Sequence, residues 1–294
     1  MEIGFLTLQY DPDYVVFAGE AGFDCMEIFA SPGGNLDLDT ASDDDIKKLN
    51  ETLAVNNVYM ATFAVSVNHL HGESAKRQYN NEYFKKAIRT CKKLNVDVLC
   101  TNAWGNPEVS MHENLEIYKK VFSEYAKLAE DEGIKIAIEN CPHSTSYPIA
   151  IGNIAHSPEM WEAMFELVPS AAIGLEFDPS HLYWQNICPV KALRAFSSRI
   201  YSFHAKDTEI VKSEMDRSGI YGKMLDRKHK WDFGVWRYRL PGWGDIDWKA
   251  IFRALQDAGY KKPIIIEHED PFFDGERRKE GLKMGLRFLQ DFDL

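Results

Sequence analysis

Nowhere in the 294 residues is there an apolar run approaching the roughly 20 residues that cross a bilayer, and the opening stretch MEIGFLTLQY lacks the basic start of a secretory leader. There is no C-x-x-C pair either. Cys25, Cys91, Cys100, Cys141 and Cys188 are odd in number and scattered, which argues against a zinc knuckle, a dithiol redox site and a disulfide framework. The expected setting is the cytoplasm, with reduced thiols and no membrane partner. Basic residues are in short supply: 34 Lys+Arg against 45 Asp+Glu give a formal net charge of −11, which repels a polyanion, so no nucleic acid is expected as a partner. Also missing is a G-x-G-x-x-G after a strand, which counts against dinucleotide binding.

What the chain does have is alternation. Short apolar, β-rich runs recur at Ile3–Leu8, Asp24–Phe29, Val58–Val65, Val96–Asn102, Ile134–Glu139, Ala172–Phe177, Ile200–His204 and Ile264–Glu267. Between and after them lie stretches with apolar positions at helical spacing: Tyr14–Ala21, Asp44–Asn56, Glu82–Leu94, Glu113–Glu132, Pro158–Leu167, Pro189–Phe196, Trp248–Ala258 and Glu276–Phe288. Such alternation builds βαβ units around a parallel sheet. Eight units take about 250 residues, so the length fits one α/β domain over 1–294, a (β/α)8 TIM barrel with a modest insertion. The count leaves an open doubly wound sheet as the alternative. Gly133 and Gly259 stand just past two helices, where a left-handed residue ends a helix without steric cost.

One connection breaks the pattern. About forty residues, 206–247, separate the seventh strand from its helix, where roughly 2–6 are usual. This extended loop carries Trp231, Phe233, Trp236, Arg237, Tyr238, Arg239 and Trp243, and reads as a lid, an oligomer contact or both.

In a barrel the C-terminal strand ends open on a common mouth, where barrel enzymes keep their active sites. The fifth strand, KIAIE, ends at Glu139, and the sixth runs into FDPSH with Asp178 and His181. The seventh, YSFHAKD, sets His204 and Lys206 on one face, because strand side chains repeat every two residues, and the eighth, IIIE, ends at Glu267. Each alone reads as a strand-terminal charge facing solvent or a salt-bridge partner. Together, three carboxylates and an imidazole at the rim of an apolar barrel call for a cation. A divalent metal on Glu139, Asp178, His204 and Glu267 meets that need. Oxygen-dominated ligation suits Mn²⁺ first, with Mg²⁺, Co²⁺ or Zn²⁺ as alternatives.

The ordered set IEN, FDPSH, FHAKD, GWGDIDW and IEHEDP, spread over nearly the whole chain, resembles the sugar isomerases and epimerases with a xylose-isomerase-like barrel. Ketose 3-epimerases, inosose-processing enzymes and hydroxypyruvate isomerases belong to that family. The resemblance implies one divalent ion on Glu139, Asp178, His204 and Glu267, and a histidine at His181 that touches a substrate oxygen. It implies proton transfer next to a carbonyl through a metal-stabilised enediolate, with Glu139 and Glu267 working from opposite sides of the sugar. His181 and Lys206 would then donate to the polarised oxygen. Ketose epimerases place an arginine soon after the metal-binding histidine; this chain has Lys206 and Asp207, which leaves the sugar unnamed.

Sugar recognition requires apolar ring faces beside hydrogen-bonding groups. Asn68 and His69 beyond the third strand, Trp104 after the fourth, His181, and Arg239 in the long loop are the candidate substrate contacts. No phosphate cradle stands out, so an unphosphorylated sugar or keto-sugar is expected, and analogy with relatives suggests a homo-oligomer, dimer or tetramer. Two other readings stay open here. One is a metal-dependent lyase, or deglycosidase, that cleaves 3-keto-glycosides after the same first deprotonation; the other is a sugar-binding barrel without catalysis. An apurinic-site endonuclease is disfavoured by the acidic charge and by too few histidines for three clustered zinc ions.

Overall fold

The computed structural model describes residues 1–143, 152–223, 225 and 227–292. Its strands, in chain order, are β1 (Ile3–Thr7), β2 (Cys25–Phe29), β3 (Tyr59–Ala64), β4 (Val98–Thr101), β5 (Lys135–Glu139), β6 (Ile173–Phe177), β7 (Ile200–Ala205), β8 (Asp207–Ile210), β9 (Trp236–Arg239) and β10 (Ile264–Ile266). Eight of them close a barrel in the order β1, β10, β7, β6, β5, β4, β3, β2, with β2 paired back onto β1 and every neighbouring pair parallel. The eight apolar runs are these barrel strands, and the closed sheet replaces the open alternative.

Around the barrel lie α1 (Pro12–Ala21), α2 (Asp43–Val55), α3 (Ser74–Leu94), α4 (Met111–Glu132), α5 (Pro158–Leu167), α6 (Pro179–Trp184), α7 (Pro189–Phe196), α8 (Lys212–Ser218), α9 (Trp248–Asp257) and α10 (Arg278–Gln290). α3 begins eight residues before the expected Glu82 because its first two turns bury nothing: its buried positions run from Tyr83 to Leu94, so the apolar period starts late. α4 starts on a reciprocal cap between Ser110 and Glu113 and stops at Gly133, whose φ of 71° ends the helix as expected. No helix among the described residues is long and apolar enough to cross a membrane.

Strand alternation decides which side chains can do chemistry. On β5, Ile136 and Ile138 pack outward into the large core shared with the helices, while Ala137 belongs to a separate small cluster with Ala64, Val98 and Cys100. Glu139 has the parity of Ala137. On β6 and β7 the same parity selects Glu176 and His204, because Leu175, Phe177 and Phe203 go to the helix-facing core. Small residues low in the barrel thus leave room above them for polar ones. A cavity of about 190 Å3 opens there, lined among others by Glu27, Ser66, Asn102, Glu139, Glu176, His204 and Glu267.

The long connection after β7 is not structureless, as its length and lack of period suggest. β8 and β9 pair antiparallel, Asp207 opposite Arg239, and α8 lies between them. Its Trp231, Phe233, Val235, Trp236 and Tyr238 form a separate core with Trp184 of α6, with Phe233 and Trp236 stacked 3.9 Å apart. One buried carboxylate joins the two ends of the insertion. Asp207 Oδ1 accepts from the backbone of Thr208 (2.8 Å) and Ile246 (3.1 Å), and Oδ2 accepts from Gly242 (3.0 Å) and from Trp248 Nε1 (2.7 Å). A Cβ on Gly244 would strike that carboxylate, which accounts for the glycine in GWGD. Asp207→Ala would leave four donors without their acceptor, three of them in the buried residues Thr208, Ile246 and Trp248. We expect it to lower the unfolding free energy by about 3 kcal/mol or more, read as a lower urea midpoint at unchanged slope.

Candidate metal centre and active site

β5 delivers Glu139 at its last residue. After β6 the chain turns at Asp178, which caps α6: its Oδ1 accepts from Ser180 N at 2.7 Å, and Pro179 supplies the first helical residue. Asn140, the residue after Glu139, clamps the Asp178 backbone from both sides, accepting from its N–H and donating to its carbonyl. The short helix brings His181 back over the mouth. β7 contributes His204, with Lys206 just past its end, and β10 leads into Glu267 and Glu269. One donor atom each from Glu139, Asp178, His204 and Glu267 lies within 4.8 Å of the others.

Lys206 is fully buried in this cluster. Its Nζ donates to Glu267 Oε2 at 2.6 Å and Glu269 Oε2 at 3.0 Å, and stands 3.2 Å from Asp178 Oδ2 and 3.1 Å from His181 Nε2. Burial opposes its charge, yet Asp178, Glu267 and Glu269 outweigh burial and hold the ammonium well above its ordinary range. The carboxylates divide into two kinds. Burial works against ionisation of Glu139 and Glu267, but His181, His204 and Lys206 hold Glu139 well below the usual range, and Lys206 with His204 holds Glu267 at about 2. Glu176 and Glu269 are pushed up to about 8, chiefly by burial, with Glu27 adding to it for Glu176 and Lys206 only partly offsetting it for Glu269.

These residues fit a divalent ion. Three carboxylates and one imidazole form an oxygen-rich set, and His204 Nδ1 faces it, 3.1 Å from Glu267 Oε2 and 3.7 Å from Glu139 Oε1. Asp178 Oδ2 is buried without a directed hydrogen bond, an acceptor facing the cluster. Burial opposes a charge on His204, but Glu176, Glu27 and Glu139 hold its pKa well above the ordinary imidazole value, and even so Lys206 and His204 offset only part of the charge on Glu139, Asp178 and Glu267. Cys141 comes near Glu139 and His181, but burial holds its thiol well above the ordinary value, which makes it a poor ligand.

The other residues singled out in the sequence divide. Trp104 joins the site through a relay: its Nε1 donates to Ser66 Oγ (2.9 Å), Ser66 donates to Asn102 Oδ1 (2.6 Å), and Asn102 Nδ2 donates to Glu139 Oε2 (2.8 Å). Asn68 holds the loop after β3, accepting from Leu70 N and reaching the Gly105 carbonyl at 3.4 Å. His69 requires a correction. It lies fully buried among Phe84, Phe122 and Tyr125, bonded to the Tyr125 hydroxyl and Thr101 Oγ1, and its aromatic surroundings, not a sugar, account for its burial. Arg239 is paired with Glu209 within the insertion and with Asp270 (2.9 Å), which holds the insertion against the loop after β10.

Strand-end reading passes over Glu27, Asn102, Glu176, Glu269 and Tyr238. Glu176 lies two residues before Asp178, so the period of two carries the signal for it; Asn102 closes the fourth apolar run and Tyr238 is one of several aromatics in the long loop, and a search for ionisable strand ends takes neither. The Tyr238 hydroxyl sits between His181 Nδ1 (2.9 Å) and His143 Nε2 (2.8 Å), and its ring lies under the Lys206 ammonium. Beyond Lys206 at its start, the insertion thus reaches the site through the buried Tyr238 phenol.

A family model described as xylose isomerase-like TIM barrel matches residues 15–292. Inosose dehydratase of Clostridium beijerinckii is 27% identical over 148 residues, 49% of this chain and 44% of that protein. The chain matches less than half the length of the first curated relatives, inosose dehydratases among them. D-psicose 3-epimerase of Clostridium cellulolyticum H10, solved with D-tagatose, superposes with a TM-score of 0.73 at 18% identity, covering 99% of each chain. The IOLI protein with a bound zinc atom superposes with a TM-score of 0.75 at 19% identity, covering 99% of this chain and 97% of that one. At these identities the structural likeness speaks for the fold.

Proposed function

The chain belongs to the xylose isomerase-like TIM-barrel family, and from that premise we propose that it is a metal-dependent isomerase or epimerase that moves a proton at a carbon beside the carbonyl of an unphosphorylated sugar or keto-sugar. The observation that carries this reading is the convergence of Glu139, Asp178, His204 and Glu267 at the C-terminal end of the barrel. A divalent ion there, Mn²⁺ by preference, would supply Lewis-acid polarisation of the carbonyl and its neighbouring hydroxyl.

Glu139 and Glu267 are the proton carriers in this reading. Both are held ionised, as a base must be, but a strongly depressed carboxylate is a weak base, and each pKa unit below the carbon acid costs about 1.4 kcal/mol. Lys206 resolves part of that difficulty. Donating to the substrate oxygen in place of Glu267, it stabilises the charge developing there and returns basicity to Glu267. His181, held from behind by Tyr238, donates to the same oxygen. Tyr238→Phe removes that support while keeping the ring under Lys206; turnover should fall about tenfold with KM near the wild-type value, as expected when one hydrogen bond made in the transition state is lost. Lys206 and Arg239 are both taken up by carboxylates, which favours a neutral substrate over a phosphorylated one.

The test is proton NMR in D2O of the Mn²⁺-loaded protein with ketohexoses, inososes and 3-keto-glucosides, with Glu139→Gln as control. Deuterium should enter beside the carbonyl and fail to enter with the variant. Absence of exchange in every compound, at confirmed metal occupancy, would sink the reading. The likeness to inosose dehydratase favours a second course after the same deprotonation. The C–O bond at the next carbon breaks, the electron pair leaves with oxygen, and His181 supplies the proton. Mass loss of water or of an aglycone, instead of a re-protonated sugar, identifies that lyase course.

A further inference from the structure

His204 presents its two ring nitrogens to different surroundings. Nδ1 faces Glu139 and Glu267, in the set proposed for the metal. Nε2 points the other way, 3.1 Å from Glu176 Oε1 and 3.5 Å from Glu27 Oε2. Neither carboxylate belongs to the four-residue set. They come from β6 and β2, on opposite sides of the barrel, and are 3% and 1% exposed. Glu27 is anchored in turn by Thr62, whose hydroxyl donates to Oε2 at 2.6 Å. Glu176 Oε1 is buried without a directed hydrogen bond, although Nε2 is close by.

Two carboxylates in the barrel interior are costly, and the neighbouring positions of this inner layer hold Ala64, Cys100 and Ala137. The group between them offers a reason for keeping both. An imidazole that carries its proton on Nε2 gives Glu27 and Glu176 a donor to share, and the same tautomer leaves the Nδ1 lone pair turned to Glu139, Asp178 and Glu267. We infer that Glu27 and Glu176 are positioning residues that accept from His204 Nε2, fix its tautomer and ring orientation, and so strengthen binding of a divalent ion that they do not themselves touch. This rests on the metal reading above. An outer carboxylate on a ligand histidine is worth about 10–100-fold in metal affinity.

The experiment is Mn²⁺ titration calorimetry, with the visible spectrum of the Co²⁺ form, on wild type, Asp178→Asn, Glu27→Gln, Glu176→Gln and Glu27→Met/Glu176→Met. Wild type should bind one ion per chain. The double variant should bind about 10–100-fold more weakly, with shifted Co²⁺ bands. Each glutamine variant should fall between, because its amide oxygen still accepts from Nε2 and only one of the two acceptors has been changed. Thermal midpoints of the metal-free proteins check folding, and if the double variant fails to fold, the isosteric glutamine variants carry the test. Wild-type affinity in every Glu27 and Glu176 variant, with binding lost in Asp178→Asn, overturns the role of the two carboxylates alone. Two ions in wild type falling to one in the double variant, with the remaining affinity unchanged, also overturns it, since the pair would then be ligands of its own ion. No Mn²⁺ binding by wild type, or full binding by Asp178→Asn, overturns the metal reading and this inference together.

Discussion

Glu139→Gln should lower the rate of proton exchange at the substrate carbon by about 10³-fold or more, at the upper end of what a positioned acid–base group contributes. The substitution is nearly isosteric. A glutamine side-chain oxygen can still accept from Asn102 Nδ2, so the relay from Trp104 survives and the barrel needs no repacking. What disappears is the negative oxygen opposite His181 Nε2 and His204 Nδ1, and with it both a place for the abstracted proton and one charged ligand. A merely structural Glu139 predicts the reverse: altered circular dichroism or a lower thermal midpoint, with exchange per folded molecule intact. Exchange within tenfold of wild type in a well-folded variant would remove Glu139 from the chemistry.

Mn²⁺ should raise the thermal midpoint of the wild type and leave that of Asp178→Asn where it was. An ion at a thousand times its dissociation constant stabilises the folded state by about 4 kcal/mol, which for a chain of this size moves the midpoint on the order of 10 °C. Asp178 suits the comparison because its two oxygens have different tasks. Oδ1 caps α6 through Ser180 N, and an asparagine oxygen does the same; Oδ2 faces the cluster with no directed hydrogen bond, and there an amide nitrogen is no ligand. The variant therefore keeps the turn that carries His181 and loses the metal. An equal rise in both proteins would place the ion elsewhere.

Much of this was legible before any coordinates. Period-two alternation marks the barrel strands, and because β5, β6, β7 and β10 are consecutive in the barrel, their terminal charges had to meet. The failures have physical causes. A search of strand ends passes over Glu27 and Glu176, which sit within β2 and β6 and look there like the polar half of an ordinary alternating strand. The distance of His69 past β3 puts it at the mouth in the sequence, but the loop turns it inward, where Tyr125 and Thr101 satisfy both ring nitrogens. Arg239 reads as a free substrate contact because its partners, Glu209 and Asp270, lie thirty and thirty-one residues away in sequence. The insertion looked unstructured because its core consists of aromatic rings stacked on one another, a pattern with no period of two or of 3.6.

The clamp at Asp207 has a consequence for how this protein can change. Because one carboxylate grips the chain where it leaves β7 and again at 242–248, the path around the barrel is already closed without the residues between. The stretch inside that closure behaves as an exchangeable cassette. Changes of length or sequence between its contacts with Trp184, His181 and Asp270 are therefore expected to leave the register of β7 and the seat of α9 in place, with Tyr238 the residue that would carry such a change to the mouth.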